Sequence, residues 1–531
     1  MKLRRWRVLS ALGISLILLT TGILGGCSSS KETSTPAGQE APKEPAQEEA
    51  SGEKTLIVAE LSDAAQLDPQ KGTDIPSANV YHGKVYEGLV AQNQKMETVP
   101  LLATEWKQIN DLTWEFKLRE GVTFHDGAAF NAEAVKKSFE RILDPNTASP
   151  RKKLFDMISE MKVIDEYTIQ FVTAYPYAPL LANLSHYSAG IISPTAIDQY
   201  GDDLGLHPTG TGPFVFDSWT PGSEIVIKKN PNYWGNEPQL DKIVFQVIPE
   251  DATRIALVET GKAHIAEPVP VDDVQRIESS DVMALYRTDG LGIDYLGFNT
   301  EKEPFTDVRV RQAINYAVDV DAIVQGIYNN VGTPATAPMG PGVWGHNPNV
   351  KNYPYDINKA KELLADAGYP DGFKTTIWTN DNKARVGVAE VVQSQLKGIG
   401  INAEIKVLEW GAYLEATEKG EHDMFILGWS NMTGDADYNQ FFLFHSDARG
   451  KMGNNTFFSN ERVDELIDLG RKETDPTKRL AIYAEAQEIE MQEAPMIFLR
   501  NDERLAVISK DVQGFWIHPS GILMLQDVSL K

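Results

Sequence analysis

Two acidic side chains in one glycine-containing segment are the first candidates for chemistry. Asp435 and Asp437 follow the apolar run 424–427 and share a short loop with Thr433. The run predicts a strand, and loops that follow strands are where α/β proteins usually place ligand-binding groups. Both carboxylates could therefore contact a cationic group of a ligand. The alternative is that they form Asx turns that only stabilise the loop.

The common signatures of catalysis are missing from the sequence. It contains no Gly-x-Ser-x-Gly elbow, no His-Glu-x-x-His motif and only one cysteine. The nine histidines lack metal-ligand spacing, and pairs of carboxylates are inevitable among 75 acidic residues. We expect a protein that is not an enzyme, needs no cofactor and holds no metal. A secreted hydrolase is the alternative.

The N-terminus has the pattern of a secretion signal. Four basic residues within 2–7 precede the apolar run 8–24, which ends in Leu24-Gly-Gly-Cys27. This ending is similar to a bacterial lipobox, so we expect 1–26 to be a signal peptide and Cys27 to carry a lipid. An uncleaved anchor is the alternative, although the run of 17 residues is shorter than the roughly 20 that usually span a bilayer.

Composition divides the rest of the chain into a tether and a folded body. Residues 27–53 are rich in Ser, Pro, Ala and Glu and contain no aromatic residue, which predicts a flexible tether. Residues 54–531 are long enough for two or three domains. The formal charge of −25 argues against nucleic acid and against an anionic membrane surface as partners.

Strand and helix patterns alternate along the body, which predicts mixed sheets flanked by helices. Residues 112–118 alternate apolar and polar side chains and predict a half-buried strand. Polar residues stand at four predicted helix starts, which are Asn131, Thr306 or Asp307, Asp356 and Asp475. Further strands are predicted at 167–172, 224–228, 243–248, 374–378, 402–407 and 497–499.

The segment His207-Pro-Thr-Gly-Thr-Gly-Pro-Phe214 predicts a sharply turned connector. Its prolines fix φ, and its glycines permit φ values that other residues avoid. We interpret it as the point where the chain returns from one domain into the sheet of another. A phosphate-binding loop is excluded, because the third glycine of a dinucleotide fingerprint and the Gly-Lys-Ser/Thr of a P-loop are missing.

Motifs along nearly the whole body resemble one family, the solute-binding proteins of ABC importers for peptides and nickel. They are 86–89, 118–127 with 130–132, 210–214, 232–235, 304–314 and 355–364. A narrower resemblance, in 201–214, 428–437 and 514–519, is to the glutathione-binding branch.

The resemblance implies an α/β fold, a two-lobed type II periplasmic-binding-protein clamshell with an inserted domain. Domain I would combine 54–83, 209–293 and 495–531, and domain II, 84–208, would complete the first lobe. Domain III, 294–494, would form the second lobe. The implied role is a monomeric lipoprotein on the extracytoplasmic face of the cell membrane. It would pass a peptide-like small molecule to the transmembrane subunits of an ABC permease.

The resemblance also suggests how a zwitterionic ligand is held. Relatives that bind dipeptides place an aspartate for the ammonium where this chain has Met432, which moves the candidate role to Asp435 or Asp437. Arg385 stands close to the position of a carboxylate-binding arginine in peptide-binding relatives. Trp429 would stack on the ligand or wall the hinge. Glutathione or a short peptide is the expected cargo, with oligopeptides and nickel or haem as alternatives.

Overall fold

The computed structural model describes residues 53–450 and 453–531. The predicted signal peptide, Cys27 and nearly all of the tether lie outside these residues. Within the described ranges, none of the helices has the length and apolar character needed to cross a membrane.

The strands in chain order are β1 (Thr55–Glu60), β2 (Val90–Gln92), β3 (Thr98–Pro100), β4 (Ala103–Asn110), β5 (Thr113–Leu118), β6 (Ile158–Asp165), β7 (Thr168–Thr173), β8 (Phe214–Thr220), β9 (Glu224–Lys229), β10 (Lys242–Val247), β11 (Ile265–Glu267), β12 (Met283–Phe298), β13 (Thr333–Pro334), β14 (Lys374–Asn380), β15 (Asn402–Leu408), β16 (Met424–Ser430), β17 (Met496–Ser509), β18 (Val512–Gln513), β19 (Trp516–Ile517), β20 (Leu523–Met524) and β21 (Ser529–Leu530).

The α-helices are α1 (Ile75–Tyr81), α2 (Ala132–Leu143), α3 (Leu180–Leu184), α4 (Pro194–Tyr200), α5 (Asp251–Glu259), α6 (Val274–Glu278), α7 (Val308–Ala317), α8 (Val320–Tyr328), α9 (Ile357–Asp366), α10 (Lys383–Lys397), α11 (Trp410–Glu418), α12 (Ala436–Asn439), α13 (Glu461–Lys472) and α14 (Pro476–Glu493).

The predicted helix starts are confirmed by side-chain hydrogen bonds. Asn131, Asp307, Asp356 and Asp475 each accept a backbone N–H from the first turn of the helix that follows. These bonds satisfy amide groups that have no partner inside the helix, which is why such residues favour these positions. All the predicted strands form, within one or two residues of their expected ends at most positions.

The largest sheet is organised around two long neighbouring strands, β12 and β17. The sheet has 11 strands in the order β15-β14-β16-β12-β17-β11-β1-β10-β9-β8, with β13 added beside β17. β12 and β17 pair antiparallel along most of their length, and the register shifts between Asp289 and Ile293. We call this pair the β12–β17 ribbon.

A second sheet, β4-β5-β7-β6, forms within the segment predicted as the inserted domain. Its core contains Phe116, Phe139 and Phe171, and the Phe171 ring lies 5.4 Å from Phe116 in a tilted contact and 5.0 Å from Phe139 in an edge-on contact. The alternation over 112–118 predicts that Leu112 lies on the same face as Phe116. In the structure Leu112 precedes β5 and is 37% exposed. The domain boundaries themselves stay a prediction.

The connector 207–214 lies against the segment that enters the inserted region. Gly212 N donates to Val85 O, and Phe214 N donates to Lys84 O. The prediction about its glycines is wrong in mechanism, because neither Gly210 nor Gly212 has a positive φ. Glycine is needed there because an added Cβ would lie 2.0 Å from Val85 O or 2.2 Å from Lys84 O.

One buried carboxyl group in α14 has little to offset its burial. Glu490 is fully buried and accepts one hydrogen bond, from Gln440 Nε2 at 3.1 Å. Burial raises the pKa of Glu490 from 4.5 to about 8. The folded state therefore binds this proton more tightly than the unfolded chain, so its contribution to stability is lost as pH rises from about 4.5 to about 8.

We expect Glu490→Gln to remove this loss while keeping the bond from Gln440. At pH 8 the variant should be more stable than the wild type by on the order of 4 kcal/mol, and at pH 4.5 the difference should nearly vanish. Denaturant unfolding at both pH values measures it. Glu488→Gln, an exposed position on the same helix, is the control. An equal effect of Glu490→Gln at the two pH values contradicts the assignment.

Candidate functional site

A cavity of about 870 Å³ lies beside the β12–β17 ribbon. Its wall combines β11 and the loop after it, the C-terminal end of α8, the start of α10 and the middle of β17. Elements from both sides of the ribbon therefore enclose one space. The charged side chains on its wall include Glu267, Asp294, Arg385, Arg500, Glu503 and Arg504.

Arg500 and Glu503, both on β17, form ion pairs with residues of β12. The Arg500 guanidinium donates from Nε to Asp294 Oδ2 at 2.8 Å and lies 3.9 Å from the centre of the Tyr328 ring. Glu503 accepts two hydrogen bonds from Arg287, at 2.7 and 2.8 Å. Such paired hydrogen bonds between charged groups fix both side chains.

The predicted ligand residue Arg385 is part of the cavity wall. It stands in the first turn of α10, which Asn382 caps by accepting its backbone N–H at 3.1 Å. Its guanidinium donates to Asn380 Oδ1 at 3.1 Å and lies 5.5 Å from the Trp410 ring. Among the described residues it has no carboxylate partner, so its charge remains available to an anion.

Glu267, the last residue of β11, also lines the cavity. Parallel pairing of β1 and β11 places it beside Glu60, the last residue of β1. The buried Asn79 amide donates to both carboxylates, each at 2.8 Å, and accepts from Leu523 N at 2.9 Å. Neither carboxylate forms an ion pair with a lysine or arginine of the described chain.

Burial dominates the titration of this pair. It raises the pKa of Glu267 to about 7 and that of Glu60 well above its usual range. The nearby Lys84 ammonium donates to the backbone carbonyls of His82 and Leu523, at 2.9 and 2.6 Å. Burial lowers the pKa of Lys84 to about 7. Burial therefore favours the protonated, uncharged forms of the two carboxyl groups, and a cation in the cavity would favour ionisation of Glu267.

The structure gives Asp435 and Asp437 partners within the chain and does not place them on the cavity wall. Both oxygens of Asp435 accept from Arg479 at 2.7 Å, and Oδ1 also accepts the Asp437 N–H at 2.9 Å. Asp437 accepts from Tyr177 Oη at 3.0 Å and lies 2.9 Å from Arg471 Nε. Asp435 thus makes the Asx turn of the alternative interpretation, and a role of either carboxylate in ligand binding stays a prediction.

Thr433 is buried and Trp429 half-buried in the same region. Thr433 O accepts from Gln92 Nε2 at 2.7 Å, so this loop contacts the segment predicted as domain II. Trp429 lies within β16, which runs to Ser430, three residues beyond the predicted end of that strand. Its ring packs near Tyr438 and Phe442, at 5.6 and 6.0 Å. Of the predicted ligand residues, the structure brings Arg385 alone to the cavity.

Sequence reasoning missed the groups that accompany Arg385. Glu60 and Glu267 each end a short apolar run, and acidic residues at such ends were a detectable signal. Their adjacency was not detectable, because it depends on two strands about 200 residues apart pairing in parallel. Arg500 and Arg504 lie in a charged stretch that sequence reasoning did not include in the strand at 497–499.

Comparison with known sequences gives a consistent family. The profile described as bacterial extracellular solute-binding proteins, family 5 middle, matches residues 97–451. The glutathione-binding protein GsiB of Pectobacterium atrosepticum is 34% identical over 486 residues, which cover 90% of this chain and 94% of that protein. GsiB of Shigella flexneri is also 34% identical, over 90% of this chain and 95% of its own.

Solved structures agree with the sequence matches. The ABC transporter-associated periplasmic binding protein DppA from Helicobacter pylori, in complex with the peptide STSA, has a TM-score of 0.79 and 33% identity, covering 90% of this chain and 98% of its own. A dipeptide-binding protein from Pseudoalteromonas sp. SM9913, in complex with Met-Leu, has a TM-score of 0.80 and 27% identity, covering 90% and 100%. The predicted type II clamshell fold is confirmed.

We expect Asp435→Ala to destabilise the protein, because it leaves the buried Arg479 guanidinium unpaired. The expected loss is about 3–5 kcal/mol in the free energy of unfolding, measured with urea. The control is Asp447→Ala on an exposed acid of the following segment, where the loss should stay below about 0.5 kcal/mol. Unchanged stability together with a loss of ligand affinity would instead support the ammonium-binding prediction.

Proposed function

The chain belongs to family 5 of the bacterial extracellular solute-binding proteins, and from this premise we propose that it captures glutathione or a short peptide for an ABC importer. Family membership makes it a binding protein and not an enzyme. The ligand would be held in the cavity beside the ribbon and released, chemically unchanged, to the transmembrane subunits of a permease.

The observation that carries the proposal is the cavity itself. Its volume of about 870 Å³ falls within the roughly 300–1,000 Å³ that is usual for small-molecule sites. Its wall carries side chains of both charges, including Arg385, which has no carboxylate partner in the described chain, and Glu267. A zwitterionic peptide presents the complementary groups. Pairing them in a closed site avoids the cost of leaving buried charges uncompensated.

The relatives support the same ligand class. GsiB is named for binding glutathione, and the two solved relatives were determined with a tetrapeptide and a dipeptide. We propose that Arg385 binds a ligand carboxylate, because it lines the cavity and has no acidic partner in the described chain. Asp435, Asp437, Thr433 and Trp429 would shape the neighbouring loop, and any direct contact with ligand is a separate hypothesis.

We further propose that the lobes are the ones implied by the sequence resemblance. Segments 54–83, 209–293 and 495–531, with 84–208 inserted, would form the first lobe, and 294–494 the second. Within the β12–β17 ribbon, β12 crosses from the first lobe into the second, and the register shift between Asp289 and Ile293 is a suitable hinge. Closure about this point would bury the ligand.

The membrane attachment is proposed from the sequence pattern at 24–27. Cleavage before Cys27 and lipidation of its thiol would hold the protein on the extracytoplasmic face of the membrane. The tether that follows would let the body reach a permease while remaining anchored. Both statements concern residues outside the described part of the chain.

We expect the purified protein to bind one glutathione or short peptide per chain and to return it unchanged. Bound ligand should raise the melting temperature without product formation. Arg385→Ala should weaken binding about 10- to 100-fold, because it removes a charged hydrogen bond of roughly 1.5–3 kcal/mol. Calorimetry and mass spectrometry of the recovered ligand measure both.

The control for that experiment is Arg309→Ala, which removes an exposed arginine paired with Asp307. Its affinity should equal that of the wild type. Catalytic turnover of the peptide, or no binding to any member of a panel of glutathione and dipeptides, contradicts the proposed function.

We expect Cys27→Ser to abolish lipidation. In a bacterial host the wild type should enter the membrane fraction and incorporate labelled palmitate, and the variant should do neither, because no other cysteine exists in the chain. Ser28→Ala serves as the matched control and should keep the label. Equal palmitate labelling of the wild type and the Cys27→Ser variant would contradict lipidation at Cys27.

A further inference from the structure

Most charged groups on the cavity wall are neutralised by other residues of the chain. The pairs are Asp294 with Arg500 at 2.7 Å, Glu503 with Arg287 at 2.7 Å, and Arg504 with Asp502 at 2.9 Å. Asp251 is likewise paired with Arg254. These groups shape the cavity, and each already has a partner of opposite charge.

Among the wall residues without an ion pair, two are shielded from solvent and have opposite charges. Glu267 has no cationic partner in the described chain, and Arg385 has no anionic one. Lys383 and Asp272 also line the cavity without an ion pair, but both are exposed and can be solvated by water. Glu267 and Arg385 are only partly exposed, so a closed cleft removes water from them.

No neighbouring side chain of the described chain forms an ion pair with Glu267, although the Arg504 and Arg254 guanidinium groups lie near enough to lower its pKa. The Asn79 amide has already donated to both Glu60 and Glu267, and it is fully buried. The Lys84 ammonium is directed to two backbone carbonyls. Glu60, directly beside Glu267 in the sheet, adds a second negative charge or a shared proton. Glu267 also lines the cavity, where a ligand can reach it.

We propose that Glu267 accepts the primary ammonium group of the ligand, while Arg385 binds a carboxylate on the other side of the same cavity. This inference rests on the proposed function and names the ligand class more closely: small zwitterions with a free amine. A ligand whose amine is acylated would leave the carboxylate pair uncompensated. Glu60 and Asn79 orient Glu267 and do not touch the ligand.

The assignment has a consequence for the pH dependence of binding. The charged and titratable groups that act on Glu267 and its neighbour are Glu60, Asp63, Lys84, Arg254 and Arg504. Burial raises the pKa of Glu267 to about 7, and an ammonium ligand requires its deprotonated form. Affinity should therefore rise with pH up to about 7, by at most about tenfold per pH unit, while the ligand amine stays protonated to about pH 8.

The test uses calorimetry on the full chain with reduced glutathione, the dipeptide Met-Leu and the N-acetylated form of each. For the tighter of the two free-amine ligands, acetylation should weaken binding to the wild type at least about 100-fold. Glu267→Gln should weaken binding of the free-amine ligand similarly, change binding of the acetylated one less than about threefold, and flatten the rise between pH 5.5 and 7. Glu259→Gln, exposed and remote from the cavity wall, should behave as wild type.

Equal wild-type affinity for free and acetylated ligand overturns the assignment, and this measurement needs no variant to fold. Unchanged affinity of Glu267→Gln for the free-amine ligand also overturns it, while leaving the proposed function intact. If the wild type binds neither glutathione nor Met-Leu, the proposed function for these ligands fails and this inference fails with it.

Discussion

The constraint on which the rest of the structure depends is that both halves of the large sheet share β12 and β17. These strands span 16 and 14 residues, and β11 attaches to one end of the ribbon while β16 attaches along the other. Their ladder shifts register between Asp289 and Ile293 and again between Asp294 and Tyr295, and at the first shift Gly292 N donates to Asp502 Oδ1 at 2.7 Å. An added Cβ at Gly290 or Gly292 would lie 2.1 or 2.7 Å from the Asp502 carboxylate. The site of interruption therefore requires small residues, and it lies next to the cavity.

Charge pairing stabilises the fold in one part of the chain, and unpaired charges on the cavity wall can bind a ligand in another. Where carboxylates and guanidinium groups serve the fold, as with Asp435 and Arg479, each group is buried against its partner with short hydrogen bonds. In the cavity, Glu267 and Arg385 lack such partners within the described chain. A buried charge without a partner is costly, so a ligand that supplies the counter-charge gains affinity from the same physics that stabilises the fold.

The sequence predicted features that depend on local interactions. Helix starts at Asn131, Asp356 and Asp475 were found because a capping residue acts on amides only two or three positions away. The family resemblance pointed to Arg385, which lies on the cavity wall, and its role in binding a ligand stays a prediction. The partner of Asp435 was not predictable, because Arg479 stands 44 positions later and reaches it only after α14 packs against the loop. Proximity across the fold, and not residue type, was the missing information.

A crystal structure of the chain with its tightest ligand tests the central claim most directly. The account predicts the ligand beside the β12–β17 ribbon, with its ammonium nitrogen about 3 Å from a Glu267 carboxylate oxygen and a carboxylate about 3 Å from the Arg385 guanidinium. A ligand that is bound in the cavity with its amine directed to Asp435 or Asp437, or one that is bound elsewhere, would contradict it.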